Sequence, residues 1–246
     1  MIKKRNIRLK LAFEGTSYHG WQIQKNQPTV QGMVSAAIAK ISGEPSIVVG
    51  SGRTDAGTHA RGLVANFLTE SRMTPEQFVR ALNCLLPRDI RVLSAYSVSP
   101  GFHARRDARS KTYRYQIYLG QVLPPHLMRE YFHYPYPIDL SKMKQAAHLF
   151  VGEHDFASFA KTNSATSTVR RIFRCDLKKR GLRLHLTVQG NGFLHHMVRN
   201  MAGTLIEISR GTISLDEFAN LFIQRDRRLA GFTAPAHGLV LLKVQY

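Results

Sequence analysis

Hydrophobic and polar residues alternate from residue 7 to residue 13, where Ile7, Leu9, Leu11 and Phe13 are separated by polar or small residues. This period of two is that of a strand with one wet face. Six further strands and one short strand are predicted on similar grounds. They cover residues 46–49, 63–68, 90–96, 113–119, 169–177, 182–188 and 239–244.

Apolar residues recur at helical spacing in five other stretches. Three of these open on a residue that can cap a helix, namely Thr29, Thr74 in TPEQ and Ser214 in SLDE, and the last two patterns are capping boxes. A fourth helix is predicted from Asp139 to the neighbourhood of Gly152, and a fifth over residues 193–208.

Strands and helices therefore follow one another in mixed order, with hairpin-like strand pairs in each half of the chain. This order favours an α+β fold with a largely antiparallel sheet over a doubly wound parallel one. We expect two similar α/β halves, residues 1–104 and 105–246, divided near Pro100 and Gly101. No low-complexity linker separates them, so we expect the halves to share one sheet and a central cleft.

Composition sets the class of protein. The 246 residues can bury a large core, and the N-terminus begins its strand pattern at once instead of forming an apolar signal segment. We therefore expect a soluble, cytoplasmic protein. Cys84 and Cys175 have no metal-ligand spacing and are predicted to be buried thiols rather than a disulfide.

The formal net charge of +19 predicts a polyanionic partner. The basic residues cluster within patterned segments, which indicates a folded basic surface rather than a charged tail. The clusters lie at residues 105–111, 170–174, 178–180 and 225–228. This clustering favours nucleic acid as the partner. A membrane surface is less favoured, because the sequence contains no Lys-rich amphipathic helix.

Residues 50–62 read GSGRTDAGTHARG and place one acid, Asp55, among glycines and cations. A Walker loop would need a lysine that is absent here, and a dinucleotide fingerprint would need glycine where Asp55 stands. The segment could be a simple turn in which Asp55 bonds its own backbone. The surrounding Arg53, His59 and Arg61 instead favour an ionised carboxylate that acts as nucleophile or base, with glycines that let a bulky substrate approach.

The segment GRTDAG at 52–57 resembles the catalytic motif of pseudouridine synthases, and the longer GSGRTDAGTHARG resembles that of the tRNA pseudouridine synthase A family. Other segments resemble the same family in the same order along nearly the whole chain. They are GTSYHGWQ at 15–22, FHARRDARSKTYRY at 102–115, GEHDFASF at 152–159, NGFLHHMVRNMAGTLIEI at 191–208 and APAHGLVL at 234–241. One departure is that Phe13-Glu14-Gly15 stands where many relatives have Tyr-Asp-Gly.

The resemblance implies the pseudouridine synthase fold and an isomerase that converts uridine to pseudouridine at positions 38, 39 and 40 of the tRNA anticodon arm. It also implies a homodimer that acts on tRNA rather than DNA and needs no cofactor or metal. Enzymes that do chemistry on a base turn the nucleotide out of its stack.

By the same resemblance, Asp55 is the catalytic carboxylate and nucleophile, Arg199 forms an ion pair with it, and Tyr113 stacks on the uracil and relays a proton. Leu239 packs near the uracil, and Arg53 enters the stack that the target nucleotide leaves. The other residues expected to bind substrate are basic: His59, Arg61, Arg105 and Arg106.

Two competing hypotheses remain at this point. A non-catalytic RNA-binding protein or RNA chaperone on the same scaffold would also be basic. A metal-dependent nuclease would need clustered carboxylates, which are scarce around Asp55, and neither His195-His196 nor His154-Asp155 has a recognised metal spacing.

Overall fold

A computed structural model describes residues 4–161 and 167–246 of the chain. The chain divides into two compact units, Met1–Arg109 with Leu241–Tyr246, and Ser110–Val240. The boundary lies a few residues beyond the one predicted from the sequence. The last six residues return to the first unit because the final strand pairs there with a strand of that unit.

In its described residues, the first unit contains four strands and two helices from the N-terminal part of the chain, together with the end of the last strand. In chain order they are β1 (Arg5–Phe13), α1 (Val30–Ser42), β2 (Val49–Gly50), β3 (His59–Thr69), α2 (Pro75–Leu85) and β4 (Ile90–Val98). The second unit holds the remaining elements up to Val240. They are β5 (Ser110–Tyr118), β6 (Phe132–His133), α3 (Leu140–Leu149), β7 (Gly152–Asp155), β8 (Val169–Arg180), β9 (Arg183–Gly190), α4 (Met197–Arg210), α5 (Leu215–Gln224) and the start of β10 (Leu239–Gln245).

Strand pairing in the first unit follows the order β4-β1-β3-β10, with β2 added to β3. The β1–β3, β1–β4 and β2–β3 pairs are antiparallel. The alternating residues Ile7, Leu9 and Leu11 are fully buried, as the period of two predicted. Both helices begin at the predicted caps: the Thr29 side chain accepts from the Gly32 amide, and Thr74 forms both bonds of a capping box.

The second unit has the order β5-β9-β8-β7, again antiparallel, with β6 parallel to β5. Its core is aromatic around Phe150, whose ring centroid lies 4.9 Å from that of Phe218 on α5 and 5.1 Å from that of Phe159. The mixed order of elements and the predominance of antiparallel pairs confirm the α+β class.

Several boundaries differ from the prediction. Helix α4 begins at Met197 instead of residue 193, because His196 has a φ of 65° and a left-handed residue cannot continue an α-helix. Residues 46–48 are not paired as a strand, and Ile47 is 85% exposed. The prediction that both cysteines are buried is wrong for Cys84, which is exposed on α2, whereas Cys175 is buried.

None of the helices in the described part of the chain combines the length and the apolar character that crossing a bilayer requires.

Candidate active site

Asp55 lies on the loop of residues 51–58, between the end of β2 and the start of β3 in the first unit. The loop closes in a turn, because the Thr58 amide donates to the Asp55 carbonyl at 3.1 Å. Gly57 occupies this turn with a φ of 78°, a conformation that a residue with a Cβ adopts only at a cost. Asp55 itself is partly exposed at the surface of its unit. Asp55 is therefore a partly exposed residue carried by a tight turn.

The N-terminal segment GTSYHGWQ runs against the back of this loop. The Gly57 amide donates to the Tyr18 carbonyl at 3.2 Å, and the Trp21 amide donates to the Thr54 carbonyl at 3.3 Å. These two hydrogen bonds hold the loop on both sides of Asp55. The segment, hereafter the loop brace (residues 15–22), thus fixes the backbone that carries the acid.

Two glycines of the loop brace are required by this close contact. A Cβ on Gly15 would lie 2.0 Å from the Thr58 carbonyl oxygen. A Cβ on Gly20 would lie 2.2 Å from the Thr54 carbonyl oxygen, and Gly20 also has a φ of 80°. The glycines therefore let two backbone segments touch, which explains their role without any contact to substrate.

Tyr18 and Trp21 anchor the loop brace to the rest of the first unit. The Tyr18 hydroxyl donates to Asp89 Oδ1 at 2.7 Å. Burial first, and then this bond to Asp89, raise the pKa of Tyr18 above its ordinary value, so that the hydroxyl remains a donor. The indole of Trp21 is 1% exposed and fills the space beside Gly50, where a Cβ would come 2.4 Å from Nε1. Sequence reasoning recognised this segment as a family signature but assigned it no structural role.

Two threonine hydroxyls beside Asp55, Thr54 Oγ1 and Thr58 Oγ1, are buried and make no hydrogen bond with any other described residue. A buried hydroxyl without a partner costs about 1–3 kcal/mol. Such groups are uncommon in native structures and are often found at functional positions. The loop thus holds uncompensated polar groups on both sides of the acid.

The cations predicted around Asp55 have different environments. Arg53 and Arg61 are exposed. His59 is 5% exposed, and its Nδ1 accepts the Gly15 amide at 2.9 Å, so it supports the junction of β1 and β3. A contact between His59 and RNA stays a prediction.

Arg105 and Arg106 lie on an exposed turn whose conformation is fixed by its neighbours. His103 Nδ1 accepts both of their amides at 3.2 Å. Asn66, which is buried in the middle of β3, accepts the Ala104 amide through Oδ1 at 2.8 Å. The turn therefore presents two guanidinium groups from a rigid backbone. The sequence signal for this contact is Asn66, a polar residue within an apolar strand, and it was not identified from the sequence.

In the second unit, Tyr113 lies on β5 opposite Val188 of β9 and is 7% exposed. Its ring meets that of Phe193 edge to face, with centroids 5.0 Å apart. Leu239 is also buried in this unit, at 6% exposure. Tyr113 is therefore largely buried within this unit, and its stacking on uracil stays a prediction.

Arg199 is partly buried on α4 and is bonded to the segment that precedes β10. Its Nε donates to the Ala234 carbonyl at 2.7 Å, and the Ala234 amide donates to the Arg199 carbonyl at 3.3 Å. The same segment rests on β5, because the Tyr115 hydroxyl donates to the Pro235 carbonyl at 2.8 Å. Burial raises the pKa of Tyr115, and the charge of Arg199 acts in the opposite direction. The family segments around Arg199 and Pro235 are thus neighbours in this unit.

The histidines that raised the question of a metal have other contacts in the second unit. His154 Nε2 pairs with the Val151 carbonyl at 3.1 Å, and Asp155 forms an ion pair with Arg225 at 2.9 Å. The rings of His195 and His196 are stacked at a tilt, with centroids 4.1 Å apart.

Comparison with known proteins identifies the family to which the chain belongs. A family model described as tRNA pseudouridine synthase matches residues 11–106 and 146–246. A relative from Citrifermentans bemidjiense, named tRNA pseudouridine synthase A, is 46% identical over 244 residues, which cover 98% of either chain. Relatives of the same name from Caldicellulosiruptor saccharolyticus and Thermoanaerobacter sp. are 44% and 41% identical, and the matches cover 98% of this chain and 100% of theirs. The chain belongs to the tRNA pseudouridine synthase family.

Proposed function

We propose that this protein is an isomerase that converts uridine to pseudouridine in tRNA. The observation that carries the proposal is the Asp55 turn: a partly exposed acid is held by the loop brace, with Arg53 before it in the loop and Arg61 after it at the start of β3. Family membership supports the same reaction, because the relatives that match this chain over almost their whole length are named tRNA pseudouridine synthase A.

The reaction breaks the bond between C1′ and N1 of the nucleoside, turns the uracil while it stays bound, and joins C1′ to C5. The proton on C5 is lost and N1 gains a proton, so atoms and electrons balance without a redox partner. Asp55 supplies the carboxylate, either by adding to C6 of the ring or by acting at the ribose. Both routes stay open, and neither calls on a cofactor or a metal ion.

We further propose that Arg199 pairs with Asp55 during the reaction. The fixed, always charged fork of a guanidinium suits a carboxylate partner. Its Nε is already used by the Ala234 carbonyl, so the terminal nitrogens of the guanidinium are the ones that would face the acid. Tyr113 would stack on the uracil and relay a proton, and Leu239 would keep the surroundings dry, which strengthens electrostatic interactions.

The substrate would be gripped through its phosphates. The net charge of +19 and the exposed Arg53, Arg61, Arg105 and Arg106 support this mode of binding. We propose the anticodon arm as the region modified, at positions 38, 39 and 40, with Arg53 filling the stack that the target base leaves. Modification of adjacent positions would require recognition by shape and charge, as is common for RNA. A homodimer in the cytoplasm is part of this proposal.

The test is release of tritium from tRNA that carries 5-tritiated uridine. Asp55→Asn should abolish release while tRNA binding stays within about threefold, because the amide keeps the shape of the side chain but removes the charge. Asp216→Asn, an exposed acid in the first turn of α5, serves as the matched control and should release tritium at the wild-type rate.

Tritium release by Asp55→Asn at more than about a tenth of the wild-type rate would contradict the proposal. A second readout is the pseudouridine content of tRNA from cells with and without the protein. Unchanged pseudouridine at positions 38 to 40 would reject the proposed positions, and a cellular effect that Asp55→Asn retains would favour an RNA chaperone.

A further inference from the structure

The α4 helix contains a buried polar residue that the reaction scheme does not use. Asn200 follows Arg199 in the sequence and is 0% exposed. Its Nδ2 donates to the Phe159 carbonyl at 2.7 Å, and its Oδ1 accepts from two partners outside the helix. A fully buried amide whose nitrogen and oxygen are both hydrogen-bonded is a fixed point from which other groups can be oriented.

The two partners of Asn200 Oδ1 are Arg227 and Thr233. Arg227 Nη2 donates at 3.0 Å, and the Thr233 hydroxyl donates at 2.7 Å. Arg227 Nη2 also donates to Thr233 Oγ1 at 3.0 Å, which closes a triangle of three side chains. Arg227 Nη1 donates in addition to the Ala230 carbonyl at 3.1 Å. One guanidinium thus joins the helix to both ends of the segment 230–233.

The segment and α4 approach closely at two glycines. A Cβ on Gly203 would lie 1.8 Å from the Phe232 carbonyl oxygen, and a Cβ on Gly231 would lie 2.6 Å from Thr204 Cα. The Gly231 amide donates to Thr204 Oγ1 at 3.0 Å. The segment is therefore seated on the helix by backbone contact and by the three-residue triangle together.

The residue that follows the segment, Ala234, holds Arg199. Its carbonyl accepts Arg199 Nε at 2.7 Å and its amide donates to the Arg199 carbonyl. The direction of the Arg199 guanidinium hence depends on where the Ala234 carbonyl lies. The residue before Ala234 is Thr233, which is bonded to Arg227 and Asn200.

Arg227 has an unusual environment for a cation. In the described part of the chain its side-chain hydrogen bonds all go to neutral oxygens, of Ala230, Asn200 and Thr233. Burial lowers its pKa from the ordinary value, and an arginine nevertheless stays charged in proteins. The adjacent Arg228 instead pairs with Asp226 on the surface. The forked geometry of Arg227, more than a charge pair, accounts for its position.

We propose that Arg227, acting with Thr233 and Asn200, is a positioning residue that aims the Arg199 guanidinium through the Ala234 carbonyl. The inference rests on the proposed function, because it gives Arg199 a part in the reaction at Asp55. It adds three residues to that reaction, none of which needs to touch the substrate.

Four single variants test the proposal. Arg227→Gln removes the fork, and Arg210→Gln, at the exposed end of the same helix, removes one positive charge as a control. Thr233→Val removes the hydroxyl at nearly constant shape, and Thr233→Ser keeps it. Each is assayed for single-turnover tritium release at saturating enzyme, for tRNA affinity by filter binding, and for thermal unfolding.

We expect Arg227→Gln and Thr233→Val to slow the single-turnover rate by about 10- to 100-fold, because a misplacement of about 1 Å has effects of that size. Their tRNA affinity should stay within about threefold, and both controls should react at close to the wild-type rate. A Thr233→Val rate equal to that of Thr233→Ser would overturn the proposal. This pair decides the question even if Arg227→Gln does not fold.

A double variant separates positioning from general stability. Lysine has no Nε and cannot bond the Ala234 carbonyl as arginine does, so Arg199→Lys should already have lost the aimed geometry. Adding Arg227→Gln to Arg199→Lys should then cost less than about threefold more, whereas independent effects would multiply and overturn the proposal. Activity that survives Asp55→Asn would reject the proposed function. Inactivity of Asp55→Asn with a normal Arg227→Gln rate would reject only the present inference.

Discussion

Gly20 offers a direct test of the idea that the loop brace holds the catalytic turn. Its substitution by alanine adds one methyl group between the two backbones, where the nearest atoms belong to the main chain of Thr54 and Asp55. The added Cβ would lie 2.2 Å from the Thr54 carbonyl oxygen and 3.1 Å from the carbonyl carbon of Asp55. Since an ordinary contact begins at 3.4 Å, the Thr54 carbonyl would have to move by about 1.2 Å.

Two costs follow from this geometry. A residue with a Cβ at a φ of 80° loses about 1–2 kcal/mol in the free energy of folding. Forcing an extra methyl group into a packed site costs about 1–3 kcal/mol more. The free energy of unfolding should therefore fall by about 2–5 kcal/mol. Because the displaced carbonyl belongs to the residue before Asp55, turnover should fall by about 100-fold as well.

Gly43 is the matched control for the conformational cost alone. It ends α1 with a φ of 74°, and its added Cβ would meet nothing within 4 Å among the described residues. Gly43→Ala should lose about 1–2 kcal/mol of unfolding free energy and keep its turnover. Urea unfolding and single-turnover tritium release measure the two effects. Turnover of Gly20→Ala within twofold of Gly43→Ala would refute the claim that this contact positions Asp55.

Three other expectations can be checked with the same protein. Tyr18→Phe removes the 2.7 Å hydrogen bond to Asp89. Because hydrogen bonds to charged acceptors contribute about 1.5–3 kcal/mol, the free energy of unfolding measured by urea denaturation should fall by that amount. A loss below about 0.5 kcal/mol would contradict this expectation. Thr74→Ala removes the capping box of α2 and should cost about 1 kcal/mol while tritium release stays unchanged. Raising the salt concentration from about 50 to about 200 mM should weaken tRNA binding at least 10-fold by counterion release, and a flat response would argue against a phosphate-dominated interface.

Local rules predicted most of the regular structure of this chain. The caps at Thr29, Thr74 and Ser214 are where the sequence placed them, because the cap hydrogen bond is made between residues three apart and needs no tertiary information. The strands with a period of two were also found, since one buried face is enough to set the pattern.

The elements that were missed depend on distant contacts. β6 has only two residues and pairs in parallel with β5, and β7 reads GEHD, which has no apolar alternation. Cys84 follows Leu82 of the buried face of α2 by two positions, and residues at that spacing do not share a helix face. The apolar residues next to Cys84 in the sequence therefore led to the wrong prediction that its side chain is buried.

Motif matching located the residues proposed to act in the reaction, but not the polar residues that fix the neighbouring backbone in each unit. Asn66, Asn200 and Thr233 are polar residues in apolar surroundings, and their partners lie 38, 41 and 33 residues away in the chain. Nothing within the sequence indicates which carbonyl or amide each one will meet. The visible signal is only that a polar side chain occupies a position where the pattern requires an apolar one, and it predicts a hydrogen bond without naming the partner.

Glu14, which stands where many relatives have aspartate, and the adjacent Gly15 have different structural roles after β1. Glu14 Oε1 accepts the Thr16 amide at 3.1 Å and lies 3.5 Å from His59 Nδ1. That nitrogen also accepts the Gly15 amide at 2.9 Å. The Glu14 carboxylate thus shapes the turn after β1 through the backbone amide of Thr16. Gly15 acts differently, because its missing Cβ is what allows the Thr58 carbonyl to approach, and a larger residue there would force the backbone next to the Asp55 turn to shift.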